Sequence, residues 1–221
     1  MTLLQSYTGA WFTDQCLSVI RLCCLLILVT SSPNSTADEL EELSVTAADG
    51  VYSLRVNAVL DAPVEYVYKV ITDYKHADRI NPTITDVEIL PSGRDEVVRV
   101  RDHSKQCVGP FCFDITWTGD VVATSDGDLQ INTVPELSSF VSGSAIWHIR
   151  SQGGLTRVIY ESSQKPAFFI PPVIGGMVIK KHIKDDILDT FKRIESQAMI
   201  MQDLDKKQHA NALKKLSKRK A

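Results

Sequence analysis

The chain lacks the signatures by which most enzymes announce themselves. It has no H-E-x-x-H pair, no G-x-S-x-G elbow, no G-x-x-x-x-G-K-[ST] phosphate cradle and no G-x-G-x-x-G fingerprint. Zinc-hydrolase, nucleophile-elbow, P-loop and dinucleotide chemistry therefore have no motif to rest on, and no metal site and no cofactor are expected. Basic charge is not in excess: 24 Lys and Arg stand against 27 Asp and Glu, with a net charge of -3, which argues against a nucleic-acid partner. No apolar run approaches the ~20 residues needed to cross a bilayer as a helix. There is no internal repeat and no low-complexity block. Cysteine is scarce, at 5 residues, and none forms a C-x-x-C pair.

The first 37 residues have a different character from the rest. Arg21 precedes an apolar run from Leu22 to Val29, and small residues follow at Ser35-Thr36-Ala37. That order of charge, apolar core and small-residue site is that of a secretory signal peptide, although the stretch before the run is long and contains Asp14. The expectation is an exported protein, periplasmic or secreted, cleaved after Ala37. Residues 38–49 open with DELEEL and read as an acidic leader. The end, KKQHANALKKLSKRKA, is basic and holds no acid. It reads as a solvated helical tail over 204–221, with an anionic membrane surface as its possible partner.

Cleavage would remove Cys16, Cys23 and Cys24 and leave Cys107 and Cys112. An even count in an oxidising compartment reads as a disulfide. A metal site would want further ligands at short spacing, and a redox motif would want C-x-x-C.

Between the ends the periodicities are clear. Val51–Leu60 alternates, with Tyr52, Leu54 and Val56 on one face and Ser53, Arg55 and Asn57 on the other, as a half-buried strand does. DAPVEYVYKVITDY places Pro63 at a helix start and repeats Val64, Val67 and Ile71 at helical spacing. A short helical piece at His76–Ile80 stops before Asn81-Pro82. Six strands follow, over Thr83–Leu90, Glu96–Cys107, Phe111–Thr124, Asp128–Val134, Ser144–Ser151 and Leu155–Gln164, with residues 135–143 as a loop. Beyond Pro171-Pro172, Ile179, Ile183, Ile187, Phe191, Ile194, Ala198 and Met201 mark one stripe of a long helix.

Strand, two short helices, six strands and one long helix make an α+β order. Together with VNAVLDAPVEYVYKVITDYKHADRINP, TRVIY and PAFFIPPVIGG, it resembles the START-like (SRPBCC, helix-grip) superfamily. It looks most like the coenzyme Q-binding and polyketide cyclase-like group. The resemblance implies a curved antiparallel sheet of about seven strands wrapped around the C-terminal helix over residues 50–203, with a cavity between them. Strand parity puts Cys107 and Cys112 on the polar, convex side, flanking a short turn, where cross-strand neighbours are close enough to bond.

An apolar pocket with a few polar groups is the usual form of a ligand site. The expected ligand-facing set is Tyr74, Phe113, Ile115, Trp117, Trp147, Val158 and Tyr160, then Phe168, Phe169 and Ile170 as a gate before the helix, and Met177 and Ile183 on it. Each strand member could equally be core, and the gate could be a plug. His148 has outward parity. His182 with Asp185 and Asp186 reads as a charged, solvated face. Asp73 is a helix terminator that could act as an acid. Asp102 has the inward parity of Val98 and Val100 and could serve as a general base, unless a slip in register turns it out. The expected function is a non-enzymatic carrier of a hydrophobic small molecule such as a lipid or isoprenoid quinone. The alternatives are a cyclase-like enzyme and an interaction module.

Overall fold

The computed structural model describes residues 38–170 and 176–220. The expected signal segment and cleavage site lie outside them. Eight antiparallel strands form one sheet in the order β1-β2-β8-β7-β6-β5-β4-β3. They are β1 Asp38–Ala48, β2 Val51–Leu60, β3 Ile84–Leu90, β4 Val97–Val108, β5 Phe111–Ala123, β6 Leu129–Thr133, β7 Phe140–Gln152 and β8 Leu155–Pro166. Between β2 and β3 the chain crosses from one side of the sheet to the opposite edge. It does so through α1 (Val64–Thr72) and a 3-10 turn (Tyr74–Arg79). The last element is α2, Gly176–Lys220. This is the α+β helix-grip arrangement, with one strand more than expected.

The extra strand corrects the acidic-leader reading. Asp38–Ala48 pairs along β2, and its register shifts between Leu40 and Glu42. That bulge adds a residue, which breaks the alternation a half-buried strand would otherwise show. Leu40 and Leu43 pack against the core. Glu41 accepts hydrogen bonds from Arg157 at 2.7 Å and from Asn57 at 2.8 Å, and Glu42 accepts one from Arg55 at 3.1 Å. The bond from Arg157 is the main cause holding the Glu41 carboxyl below its usual range. The acids are therefore the outer rungs of the sheet. Asp49 and Gly50 join β1 to β2 with φ of 51° and 76°, the left-handed pair that a tight hairpin requires.

A second correction lies at residues 135–143. Only Pro135–Leu137 forms a 3-10 turn, and β7 already starts at Phe140. The register shifts between Phe140 and Ser142. At Gly143 an added Cβ would fall 1.8 Å from Gln164 Oε1, so any larger residue there would displace the Gln164 side chain.

The core lies between the sheet's concave face and the helices. Val56, Val67, Val158, Ile194 and Ala198 are fully buried, joined by Leu129 and Phe191. Thr156, also buried, donates from Oγ1 to the Ala62 carbonyl at 2.6 Å, tying β8 to the entry of α1. The long helix continues past this core. From Asp203 to Lys215 its residues are exposed, and the helix runs on to Lys220. No helix among the described residues is long and apolar enough to cross a membrane.

Candidate ligand cavity

Alternation along β4 and β5 turns Gln106, Val108, Phe113 and Ile115 toward the concave side. The connecting turn, Gly109-Pro110, has glycine at φ 59°, the first central position of a tight hairpin. Cys107 and Cys112 face each other directly in the register, are exposed, and are bonded to one another. The staple sits on the outer side, away from the concave space.

After Pro166 ends β8, the chain folds Phe168 inward. Its ring lies 5.5 Å from that of Phe113 and 6.1 Å from that of Phe140. The start of α2 closes the opposite wall with Ile179, Ile183 and Ile187. Between these surfaces is a cavity of about 310 Å³. That is near the lower end of small-molecule sites, ~300–1,000 Å³.

Two polar groups of the cavity, His182 and Asp186, come from positions expected to face solvent. His182, Asp186 and Thr190 line it alongside the isoleucines. Each precedes a stripe residue by one position, about 100° around the helix, and a sheet that wraps the helix covers that angle too. His182 and Asp186 thus line the cavity while keeping about a third of each side chain exposed, 30% and 35%, whereas Asp185 is exposed and is paired with Lys181 at 2.5 Å. His182 Nε2 lies 3.3 Å from Gln106 Oε1 and 3.5 Å from Asp186 Oδ2. Gln106 Nε2 donates to Thr83 Oγ1 at 2.7 Å, and Thr83 Oγ1 donates to Asn81 Oδ1 at 2.7 Å. Burial is the main cause raising the Asp186 carboxyl above its usual range, and His182 opposes it. Among the described residues no cluster of His, Cys, Asp and Glu could hold a metal ion.

The expected ligand-facing residues divide. Phe113, Ile115, Phe168, Ile170 and Ile183 line the cavity. Trp117, Trp147, Val158, Tyr160 and Tyr74 do not; they belong to or pack on the core. Trp147 shows why: its ring sits 4.3 Å from Tyr160 and stacks at 5.8 Å on Phe191, leaving no space between. Burial pushes the Tyr74 hydroxyl up to about 12. Phe169 and Met177 are corrections, being 76% and 85% exposed.

The acid candidates separate as well. Asp73 caps the end of α1 and holds His76 Nδ1 at 2.8 Å on the outside. His148 faces outward and pairs with Asp128 at 2.8 Å. Asp102 keeps its inward parity, because β4 and β5 pair without a slip. It stands between Val87 and Trp117, and burial pushes its carboxyl up to about 7.

The opposite face of the sheet carries a wider depression of about 550 Å³, lined by residues such as Ser44, Ser53, Ser144 and Ser163. It is open, and its charged members Arg55 and Glu161 pair with each other. The cavity under the helix is the more apolar of the two.

Comparison with known proteins agrees with this geometry. Residues 60–192 match the family described as polyketide cyclase / dehydrase and lipid transport. The chain belongs to that family. No curated protein matches it. The Zhui aromatase/cyclase from Streptomyces sp. R1128 is similar at 16% identity and a TM-score of 0.55, covering 67% of this chain and 94% of that one. The STAR-related lipid transfer protein from Xanthomonas axonopodis is 16% identical at a TM-score of 0.52, covering 71% and 98%. A START superfamily protein from Mycobacterium smegmatis is 14% identical at 0.53, covering 67% and 98%. At these identities the likeness shows the fold. The family's description spans both cyclase or dehydrase catalysis and lipid transport.

Proposed function

We propose that the protein is an exported, non-enzymatic carrier of an apolar small molecule, held between the sheet and the start of α2. The observation that carries this reading is the cavity lined by Phe113, Ile115, Phe140, Phe168 and Ile183, with polar groups confined to a few positions. Each buried methylene of a ligand there gains about 0.8 kcal/mol. Lipids and isoprenoid quinones fit that chemistry.

Export is supported by the order of charge, apolar run and small residues before Asp38. The disulfide suits an oxidising compartment. The basic end of α2 exposes Lys206, Lys207, Lys214 and Lys215 with Leu213. We read it as a contact for anionic headgroups, each lysine adding about 1 kcal/mol near such a surface.

The test is native mass spectrometry of protein purified gently from the cell envelope, with N-terminal mapping of the same sample. A hydrophobic adduct is expected on wild type and in reduced amount on Ile115→Trp, whose larger indole narrows the cavity. Equal adducts on both proteins would place the ligand elsewhere.

A second reading, cyclase-like catalysis, has Asp102 in its favour. No side chain among the described residues hydrogen-bonds or pairs with it, and it faces the concave side. A carboxyl held near neutrality suits general base chemistry. Under this reading Asp102→Asn removes turnover and leaves ligand binding in place.

A further inference from the structure

The hydrogen bonds at one wall of the cavity have a single consistent direction. The backbone N–H of Thr83 donates to the Asn81 side chain at 3.1 Å, so the atom it meets is the amide oxygen. That oxygen can only accept from the Thr83 hydroxyl, which must therefore accept from the Gln106 amide nitrogen. The Gln106 oxygen is then the atom facing His182, so Nε2 of His182 carries its proton. The chain runs from His182 through Gln106 and Thr83 to Asn81. It ends on an Asn81 amide whose two N–H donors have no partner among the described residues, and Gln106 keeps a second free N–H.

The charges at this wall are equally one-sided. Asp186 lines it, and among the described lining residues none is lysine or arginine. A carboxylate or phosphate head would enter beside a carboxylate with only His182 to meet it. An uncharged oxygen, by contrast, finds free N–H donors.

We infer that the cavity selects a neutral amphiphile, with a carbonyl or hydroxyl oxygen at the Asn81–Gln106–His182 wall and its apolar body against Phe113 and Phe168, and that Asp186 excludes anionic lipids. The inference rests on the cavity being the ligand site. A carbonyl and a hydroxyl share the acceptor oxygen that the wall recognises.

Decan-1-ol and decanoate share a chain length and differ in head charge. Isothermal titration calorimetry at pH 7.5 gives the ratio of their affinities. Wild type is expected to prefer decan-1-ol by about tenfold or more. Part of that preference follows from hydrophobicity alone, so the variants decide. Asp186→Asn should move the ratio about tenfold toward decanoate, and Gln106→Lys, which places an ammonium at the wall, should move it at least as far. Folding of both is checked by circular dichroism. If both probes bind and neither variant moves the ratio, charge exclusion is wrong while the cavity stands. If neither probe binds wild type, the cavity reading fails and this inference falls with it.

Discussion

One helix covers two halves of the same concave face and meets them in different ways. Toward its middle, Phe191, Ile194 and Ala198 are buried against β2, β6, β8 and α1. Near its start, Ile179, His182, Ile183 and Asp186 face Phe113, Ile115 and Gln106 across a cavity. The strands supply inward apolar side chains in both halves. The difference is α1, which brings Val67, Val70 and Ile71 into one half only. Where a second helix fills the groove, aromatic residues become core. Where it does not, similar residues line a space. An apolar inward position is thus a statement about the face, and its packing depends on what lies opposite.

The sharpest way to break the comparison is to truncate one residue in each half. Phe191→Ala is expected to cost about 3–5 kcal/mol, as buried aromatic truncations do. Ile183→Ala should cost well under the ~2–5 kcal/mol of a fully packed site, because one side of it already faces open space. Urea unfolding of both variants is the measurement. Equal losses would mean that the two halves are packed alike.

Next in size is the staple beyond the open half. Cys107 and Cys112 enclose a short loop, with a separation of 5, so replacing both with serine is expected to cost about 2 kcal/mol, the low end for disulfides. Ligand affinity should hold, because the bond lies on the outer face. Loss of affinity with the fold intact would tie the staple to the cavity.

Asp102 gives a pH-dependent effect. Its carboxyl is raised in the folded state to about 7 from 3.8, so the folded protein binds the extra proton. The stability this contributes is full below about pH 4 and is lost as pH rises through 7. Asp102→Asn is therefore expected to raise Tm by about 3 °C or more at pH 8 and to change it little at pH 4. A Tm gain that is the same at both pH values would show that the carboxyl titrates normally.

The smallest expected effect separates two neighbours in sequence. Phe168→Ala should weaken binding of a fluorescent apolar probe several-fold, since Phe168 packs between Phe113 and Phe140. Phe169→Ala should change it by less than about twofold, within the range of an exposed substitution. The reverse order would restore Phe169 as the gate.

Much of this was legible in the chain. The period-2 strands, the two-residue turns and the stripe from Ile179 to Met201 each follow from local geometry, and so does the outer placement of the cysteines. One further signal was there to be read: Ala48-Asp49-Gly50-Val51 contains Asp-Gly, the pair that favours a tight hairpin. It would have revealed β1. The alternation that should have supported it was broken by the bulge between Leu40 and Glu42.

Sequence by itself determined which residues share a face, because parity and the helical angle are properties of backbone geometry. Only the tertiary structure decided which of those faces closes. Trp147 stacks on Phe191 and is core, whereas Ile115 lines a cavity. It also decided that His182 and Asp186 turn inward, because a sheet wrapped around a helix buries more than its apolar stripe. Those outcomes depend on side chains distant in the chain meeting in space, and no local period encodes that meeting.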